Sequence, residues 1–247
     1  MELFVAGCST SWSSRSTSCY MLDGHILFDC GEGSSKSIVK KYGEQKLRDI
    51  DWIFITHLHT DHIFSINQYI SQKTIFAFDP NHKLTVVGVK GLKNALNILF
   101  TFVTCKDMKL EDYINIIEIE DYSISFKVDN YTIYPFKLVH GDFENCGFAI
   151  SDGQFTLGYT GDTIFDDNLL KMVDKCDTLL CDVSGEVNKA NHMGVDGYHE
   201  LVEKYPNKQF FAVHCNEYVY QNARKLKLNL IRESTLYNYN KGIFKKV

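Results

Sequence analysis

The stretch DWIFITHLHTDHIF, residues 51–64, places three histidines and an aspartate within six positions directly after an apolar run. Trp52 to Ile55 has the length and character of a strand buried on both faces. The chain leaves that strand through Thr56 and then delivers His57, His59, Asp61 and His62. A metal ligand must present a lone pair from a fixed place, and imidazole nitrogens and carboxylate oxygens both qualify. On a tight turn, H-x-H-x-D-H aims alternate side chains to two sides. His57 and His59 can hold one cation while Asp61 and His62 hold another beside it. A lone histidine is more often structural; four ligand-type side chains in six positions at a strand end favour a metal.

Two cations need further ligands, and these occur at similar places. FKLVHGD ends an apolar run with His140, LGYTGDT ends one with Asp162, and FFAVHCN ends one with His214. Singly, the histidines read equally well as satisfied core residues and Asp162 as a helix cap. Together they make five histidines and two aspartates at the C-terminal ends of strands, a placement that points to one shared site.

The flanking sequence supplies the scaffold. ELFVAG (2–7) reads as a first strand, followed by CSTSWSSRSTS (8–18), a hydroxyl-rich stretch that suits a solvated loop and an anion-facing loop equally. CYMLDGHILFDCGEG (19–33) predicts a hairpin turning at Asp23-Gly24. SSKSIVKKYG (34–43) predicts a short helix with a serine cap and Gly43 as its stop. IFSINQYISQ (63–72) predicts a helix leaving the histidine cluster, KLTVVGV (83–89) a buried strand and KGLKNALNILFTF (90–102) a helix. Residues 115–160 carry closely spaced runs expected to be largely antiparallel strands. After Asp162, DDNLLKMVDK, TLLCDV, GVDGYHELVEKY and QFFAVH alternate helix and strand. The layer order this predicts is helix, sheet, sheet, helix.

A length of 247 residues allows one large domain or two small ones, and with no long Pro/Gly/Ser linker we read 1–247 as a single domain. The net charge of −5 argues against a protein that coats long nucleic acid. A small anionic substrate stays compatible, because a metal supplies local positive charge. The cysteines (Cys8, Cys19, Cys30, Cys105, Cys146, Cys176, Cys181 and Cys215) form no C-x-x-C pair and often sit in apolar runs. They are expected to be free thiols in the core, in a reduced, cytoplasmic setting. VAGC (5–8) lacks the basic and apolar segments that precede a lipoprotein cleavage site. No apolar run reaches the ~18–20 residues of a membrane span, so no membrane partner is expected.

FDCGEG at 28–33, THLHTDH at 56–62, His140, YTGDT at 159–163, NHMG at 191–194 and His214 together resemble the metallo-β-lactamase fold superfamily, in particular its ribonuclease Z-like branch. The resemblance spans nearly the whole chain. It implies an αββα four-layer sandwich in the α/β class, with two divalent cations, zinc or manganese. By that resemblance His57, His59 and His140 bind one ion, Asp61, His62 and His214 the other, and Asp162 bridges them. Asp29 braces the site from behind. The resemblance also implies attack on phosphorus by a hydroxide shared between the cations, with His192 giving a proton to the leaving alkoxide and Asp182 orienting His192. Asp61, His192 and Asp182 form the expected catalytic set. His25, His82 and His199 have no comparable context.

The chain departs from ribonuclease Z in one informative way. The usual bacterial enzyme carries an arm that grips transfer RNA between the third metal histidine and the bridging aspartate. Here His140 and Asp162 are 22 positions apart, and GDFENCGFAISDGQFTLGYTG between them reads as a tight strand pair. The Pro-rich segment that usually follows the histidine turn is also missing. The chain is therefore more similar to the small phosphodiesterases of the superfamily, among them phage enzymes that destroy the cyclic pyrimidine signals of bacterial defence. The expected substrate is a nucleoside cyclic monophosphate. The alternatives are RNA 3′-end processing, hydrolysis of a lactone or carbon ester, and a non-catalytic nucleotide- or partner-binding module; retention of all seven ligand-type residues speaks against the last. The resemblance implies a homodimer, with the sparsely charged segment near 64–80 and YNYNKGIF (237–244) as candidate contact surfaces.

Overall fold

In the computed structural model, which describes residues 1–103, 108–240 and 243–247, the apolar run at Trp52–Ile55 is a strand held between two parallel neighbours. In chain order the first sheet contains β1 (Glu2–Gly7), β2 (Cys19–Leu22), β3 (Ile26–Phe28), β4 (Trp52–Ile55), β5 (Leu84–Gly88) and β6 (Ile114–Glu118). The second contains β7 (Phe126–Val128), β8 (Tyr131–Lys137), β9 (Cys146–Ser151), β10 (Thr156–Tyr159), β11 (Thr178–Asp182) and β12 (Gln209–Val213). The last strands, β13 (Thr235–Asn240) and β14 (Ile243–Lys246), return to the first sheet beside β1. The spatial orders are β14-β13-β1-β2-β3-β4-β5-β6 and β12-β11-β10-β9-β8-β7.

Period-two alternation decides which side chains face which layer. Along β1, Leu3 and Val5 enter the layer between the sheets, while Phe4 and Ala6 face outward onto helices. Along β11, Leu180 points between the sheets and Leu179 and Cys181 point out. The outer face of the first sheet is covered by α1 (Ser34–Tyr42) through Ile38, α3 (Ile66–Ser71) through Tyr69 and Ile70, and α4 (Leu92–Phe100) through Leu96 and Phe100. The outer face of the second is covered by α5 (Asp167–Lys175) through Met172 and Val173, and by α6 (Val195–Lys204) through Tyr198 and Leu201. This is the αββα order expected.

Three rings tie the sheets together where the site is built. Phe28, Phe54 and Phe148, from β3, β4 and β9, pack with centroids 5.3–5.9 Å apart. Each buried ring stabilises by about 1.5–3 kcal/mol through burial alone. Phe28 immediately precedes Asp29, and Phe54 lies two residues before Thr56, so this packing fixes where both strands release their polar ends.

Several expectations need correcting. The run IIEI belongs to β6 of the first sheet and runs parallel to β5, because the intervening α4 supplies the crossover that a parallel pair needs. The antiparallel run is β7–β10. Helix α1 is not capped by a serine: its N-cap is Gly33 at φ 82, with no side-chain cap bond. Gly43 does end it. The helix expected over 63–72 begins earlier, as the short α2 (Thr60–Ile63) inside the histidine motif, and α3 passes into a π-helical turn at Gln72–Phe76. The interval between His140 and Asp162 is occupied by the β9–β10 hairpin, as read. Seven of the cysteines are free and buried; Cys105 lies outside the described residues, as do Lys241 and Gly242 of the YNYNKGIF run. No helix among the described residues is long and apolar enough to cross a membrane.

The Asp23-Gly24 turn adopts left-handed conformations at both positions, φ 45 and 79, and Leu22 pairs with Ile26 across it, so Asp23, Gly24 and His25 form a three-residue connection. Beside it, His25 directs Nδ1 at the Asp23 carbonyl (3.0 Å) and Nε2 at the Asp129 carboxylate of the β7–β8 turn (2.6 Å). Both partners are acceptors, so the doubly protonated ring satisfies both. Burial opposes that charge, but the Asp23 and Asp129 acceptors outweigh it and raise the His25 pKa above the usual imidazole value. The clasp joins a hairpin tip of one sheet to a tip of the other. Its contribution is fully present below the unfolded pKa near 6.5 and is lost as pH rises through the folded value. Asp129→Asn, which tolerates the left-handed backbone there, is expected to cost ~0.5–1 kcal/mol at pH 6, the scale of an exposed pair, and almost nothing at pH 9. Paired thermal unfolding curves at the two pH values check this.

Candidate metal centre

Each functional side chain leaves the C-terminal end of a strand: Asp29 after β3, His57 after β4, His140 after β8, Asp162 after β10 and His214 after β12, with Asp182 as the last residue of β11. A side chain there is free of the ladder and faces the crevice where open α/β sheets take ligands. The backbone bends sharply to deliver two of them. Asp29 and His214 adopt φ 55 and 53, a conformation that non-glycine residues rarely keep without support. The Asp29 backbone N–H donates to the Phe54 carbonyl (2.8 Å) and the His214 N–H to the Cys8 carbonyl (2.8 Å), which holds both in place.

The seven residues singled out converge. His57 Nε2 lies 3.1 Å from His59 Nδ1, which lies 3.2 Å from His140 Nε2. Asp61 Oδ2 lies 3.1 Å from His214 Nε2. Asp162 stands between the two groups. Its Oδ2 is 3.7 Å from His57 Nε2 and 3.9 Å from His140 Nε2, and its Oδ1 is 3.2 Å from His62 Nε2 and 3.3 Å from His214 Nδ1. His57, His59, His140 and Asp162 form one ligand-type group and Asp61, His62 and His214 another, the atoms of each within 4.8 Å of one another. A third such group joins Asp162, Asp182, His192 and His214.

Hydrogen bonds behind the cluster decide which nitrogens offer lone pairs. Thr56 Oγ1 donates to Asp29 Oδ2 (2.9 Å), which leaves its oxygen to accept from His57 Nδ1–H (3.1 Å) and frees His57 Nε2 for the site. His62 Nδ1–H donates to Asp29 Oδ2 (2.7 Å) and His140 Nδ1–H to the Asn191 carbonyl (2.6 Å), freeing both Nε2 atoms. Tyr159 also donates to Asp29 Oδ2 (2.6 Å), and the Thr56 backbone N–H donates to Oδ1 (2.8 Å). One buried carboxylate thus orders two of the imidazoles.

The charge distribution matches. Burial, with His62 beside it, pushes His57 well below the usual imidazole pKa, and burial lowers His59 and His140. These three rings are neutral donors of lone pairs. Burial acts downward on His62 and His214 too, but the carboxylates prevail: Asp162 and Asp29 hold His62 well above its usual value, and Asp162, Asp182 and Asp61 raise His214 to about 10. The second group therefore attracts positive charge strongly. His62 Nε2, Asp162 Oδ1, Asp182 Oδ1 and His214 Nδ1 are buried without hydrogen-bond partners, despite the short ion-pair distances. An unsatisfied buried polar atom costs about 1–3 kcal/mol, and a cation at these atoms removes that cost. The donor set fits a metal.

His192 and Asp182 are joined by a hydrogen bond. His192 Nδ1–H donates to Asp182 Oδ2 (2.8 Å), which also accepts from the Thr163 backbone N–H (3.1 Å). The second ring nitrogen of His192 stays available to a pocket of about 570 Å³ that Asp61, Asp162 and His214 also line. Burial opposes charge on His192, but the hydrogen bond to Asp182 prevails and raises its pKa. With Nδ1 committed to Asp182, this pair is better described as a hydrogen-bonded donor than as further ligands.

His25, His82 and His199 lie off the site, against Asp129, Asp51 and the Leu226 carbonyl respectively. Sequence reading missed Thr56, Tyr159 and the Asn191 carbonyl. Thr56 and Tyr159 both sit inside the quoted motifs; their signal was adjacency to ligands, but only the fold shows that both reach Asp29. The hydroxyl-rich loop does border the pocket, through Thr10, Ser11 and Trp12.

Fold and donor set define a protein of the metallo-β-lactamase fold. The family model of the anti-Pycsar protein Apyc1 matches residues 1–237, and the chain belongs to that family. Ribonuclease Z of Ligilactobacillus salivarius is 32% identical over 129 residues, 52% of this chain and 39% of the relative; the chain thus spans well under half of that relative's length. Among solved structures, the metallo-β-lactamase fold protein YhfI from Bacillus subtilis superposes with a TM-score of 0.74 at 20% identity, covering 100% of this chain and 99% of that one. Human tRNase Z, short form, superposes at 0.73 with 18% identity, covering 98% and 100%.

Thr56→Val keeps the shape of the side chain and removes the hydroxyl that links Asp29 to His57. Zinc affinity, measured by competition with a chelator, is expected to fall ~10–100-fold, with the circular dichroism spectrum unchanged. Unaltered affinity would show that the Thr56 relay does not orient His57.

Proposed function

We propose that residues 1–247 form one domain acting as a metal-dependent phosphodiesterase on a small anionic nucleotide, a nucleoside cyclic monophosphate. His57, His59 and His140 would hold one divalent cation and Asp61, His62 and His214 a second, with Asp162 shared between the two groups; zinc or manganese suits these nitrogen and oxygen donors. Divalent cations supply acidified water and neutralise phosphoryl charge. The chain's own residues do the rest. Asp29, Thr56 and Asn191 fix the ligand rings, and the buried floor keeps their lone pairs from being spent on water. Asp182 holds His192 so that its outward nitrogen delivers a proton to the leaving ribose oxygen.

The observation that carries this reading is where the donor set opens. It faces a pocket of about 570 Å³, within the range of small-molecule sites, and the β9–β10 hairpin fills the interval in which an RNA-gripping arm would be inserted. The family's anti-Pycsar description is in keeping with a cyclic nucleotide signal as substrate. RNA 3′-end processing is the second reading, favoured by the ribonuclease Z relatives. A lactone or ester hydrolase has less need of a proton donor placed as His192 is. We further propose a cytoplasmic homodimer. Phe64, Ile75, Phe76 and Phe78, all exposed, offer apolar surface in the 64–80 segment.

A panel of cyclic mononucleotides and a precursor transfer RNA, offered to the purified chain, separates the readings. Cleavage of a cyclic mononucleotide with the RNA left intact is expected; the reverse outcome sinks the proposal. His59→Ala is expected to lose bound metal and activity together. His192→Ala should keep its metal and lose ~10²–10⁴-fold in rate, and full activity in that variant would remove His192 from the chemistry.

A further inference from the structure

We propose that Trp12 is the platform on which the base of the nucleotide stacks, and so the residue that makes this pocket select nucleotides over other phosphodiesters. The proposal rests on the phosphodiesterase reading above and deepens it.

Trp12 is 94% exposed, the most exposed of the large hydrophobic side chains among the described residues. Scattered apolar side chains on a surface are ordinary, so exposure alone says little. Position says more. Of those exposed hydrophobics, Trp12 is the one that lines the pocket containing Asp61, Asp162, His192 and His214. An indole left uncovered beside a polar metal-binding floor offers a flat apolar face next to the place where a phosphoryl group would be held. That pairing is what a nucleotide presents in return: an anion and, a sugar away, a flat ring.

The loop that carries Trp12 is pinned, so the ring is presented from a fixed base. Arg15 donates from Nη1 to Glu217 Oε2 (2.9 Å) and from Nη2 to Ser9 Oγ (2.9 Å), and its guanidinium lies 3.6 Å above the centre of the Tyr220 ring. Ser9 Oγ also donates to the Cys215 carbonyl (3.1 Å), next to His214. Between these anchors the Ser13 N–H donates to the Thr10 carbonyl (3.2 Å), closing a tight turn with Trp12 near its tip. None of these bonds uses the indole. Loop position is set by Arg15 and Ser9, and Trp12 is left for a ligand.

Stacking on an aromatic ring is tolerant of base identity, because every base has a π-face. Trp12 therefore favours nucleotides as a class without choosing between pyrimidine and purine.

The test uses emission, independently of turnover. The chain has two tryptophans, and the other, Trp52, stacks on Phe54 inside β4 with centroids 6.0 Å apart. The metal-loaded full chain is titrated with CMP, UMP and AMP, and with ribose 5-phosphate as the probe lacking a base; binding is followed in parallel by calorimetry. Saturable quenching by all three nucleotides is expected, absent in Trp12→Phe although that variant still binds them. Trp12→Ala is expected to weaken nucleotide binding about 5- to 150-fold and to leave ribose 5-phosphate unaffected. In turnover of the cyclic substrate the same variant should raise KM with kcat little changed. Nucleotide binding by Trp12→Ala equal to that of the unmodified chain overturns the proposal and leaves the phosphodiesterase reading standing. So does an equal loss for ribose 5-phosphate, or a changed molecular mass of Trp12→Ala in solution, which would assign Trp12 to pairing of chains. If the unmodified chain binds none of the three nucleotides, the phosphodiesterase reading on nucleotides and this proposal fall together.

Discussion

Burying carboxylates is the constraint around which this molecule is organised. Asp29, Asp162 and Asp182 are almost wholly withdrawn from water, and an isolated buried carboxylate is too costly to keep ionised. Each must be surrounded by donors or by positive charge. Asp29 is satisfied within the protein, by Thr56, His62 and Tyr159. Asp162 is only partly satisfied: its Oδ1 lacks a hydrogen bond while two imidazoles crowd it. That difference separates a carboxylate whose hydrogen bonds are complete from one whose Oδ1 still lacks a donor.

The same constraint explains the order of the layers around the site. The phenylalanine trio of β3, β4 and β9 is placed close to the polar strand ends, with Phe28 one residue before Asp29 and Phe54 two before Thr56. Apolar packing therefore brings the carboxylates into position, and the polar network takes over where the rings stop. Gly161 shows how little room remains, since at φ 59 a Cβ there would come within 2.7 Å of the Thr56 side chain. A substitution at Gly161 would displace the residue that links Asp29 to His57.

Much of this was legible in the residues, and what was not has physical reasons. The seven ligand-type side chains announce themselves because core packing alone rarely gathers so many histidines and aspartates at strand ends, and all seven converge. The Asp23-Gly24 turn signal and the spacing of apolar residues likewise marked the β2–β3 hairpin and the alternating helices and strands after Asp162. The sheet to which β6 belongs was not legible, because pairing partners are a matter of tertiary packing and parallel neighbours leave no local mark. Nor was the start of α1: a serine is the commoner N-cap, and the left-handed Gly33 replaced it. Thr56 and Tyr159 escaped notice because a single hydroxyl carries no pattern; its role arises only when two sheets bring it to one carboxylate. Trp12 sits in a loop whose hydroxyl-rich composition suits solvent and an anion equally, and only the fold sets it on the wall of the pocket that His192 and His214 also line.

His57, His59, Asp61 and His62 are delivered by the first sheet, and His140, Asp162 and His214 by the second. Neither sheet alone carries a full cage, so any cation held there clamps one half of the sandwich to the other. Its binding energy is then also cohesion between the halves. A chelator would act on this chain as a mild denaturant, and the loaded form would outlast the stripped form under heat or protease for reasons unrelated to catalysis.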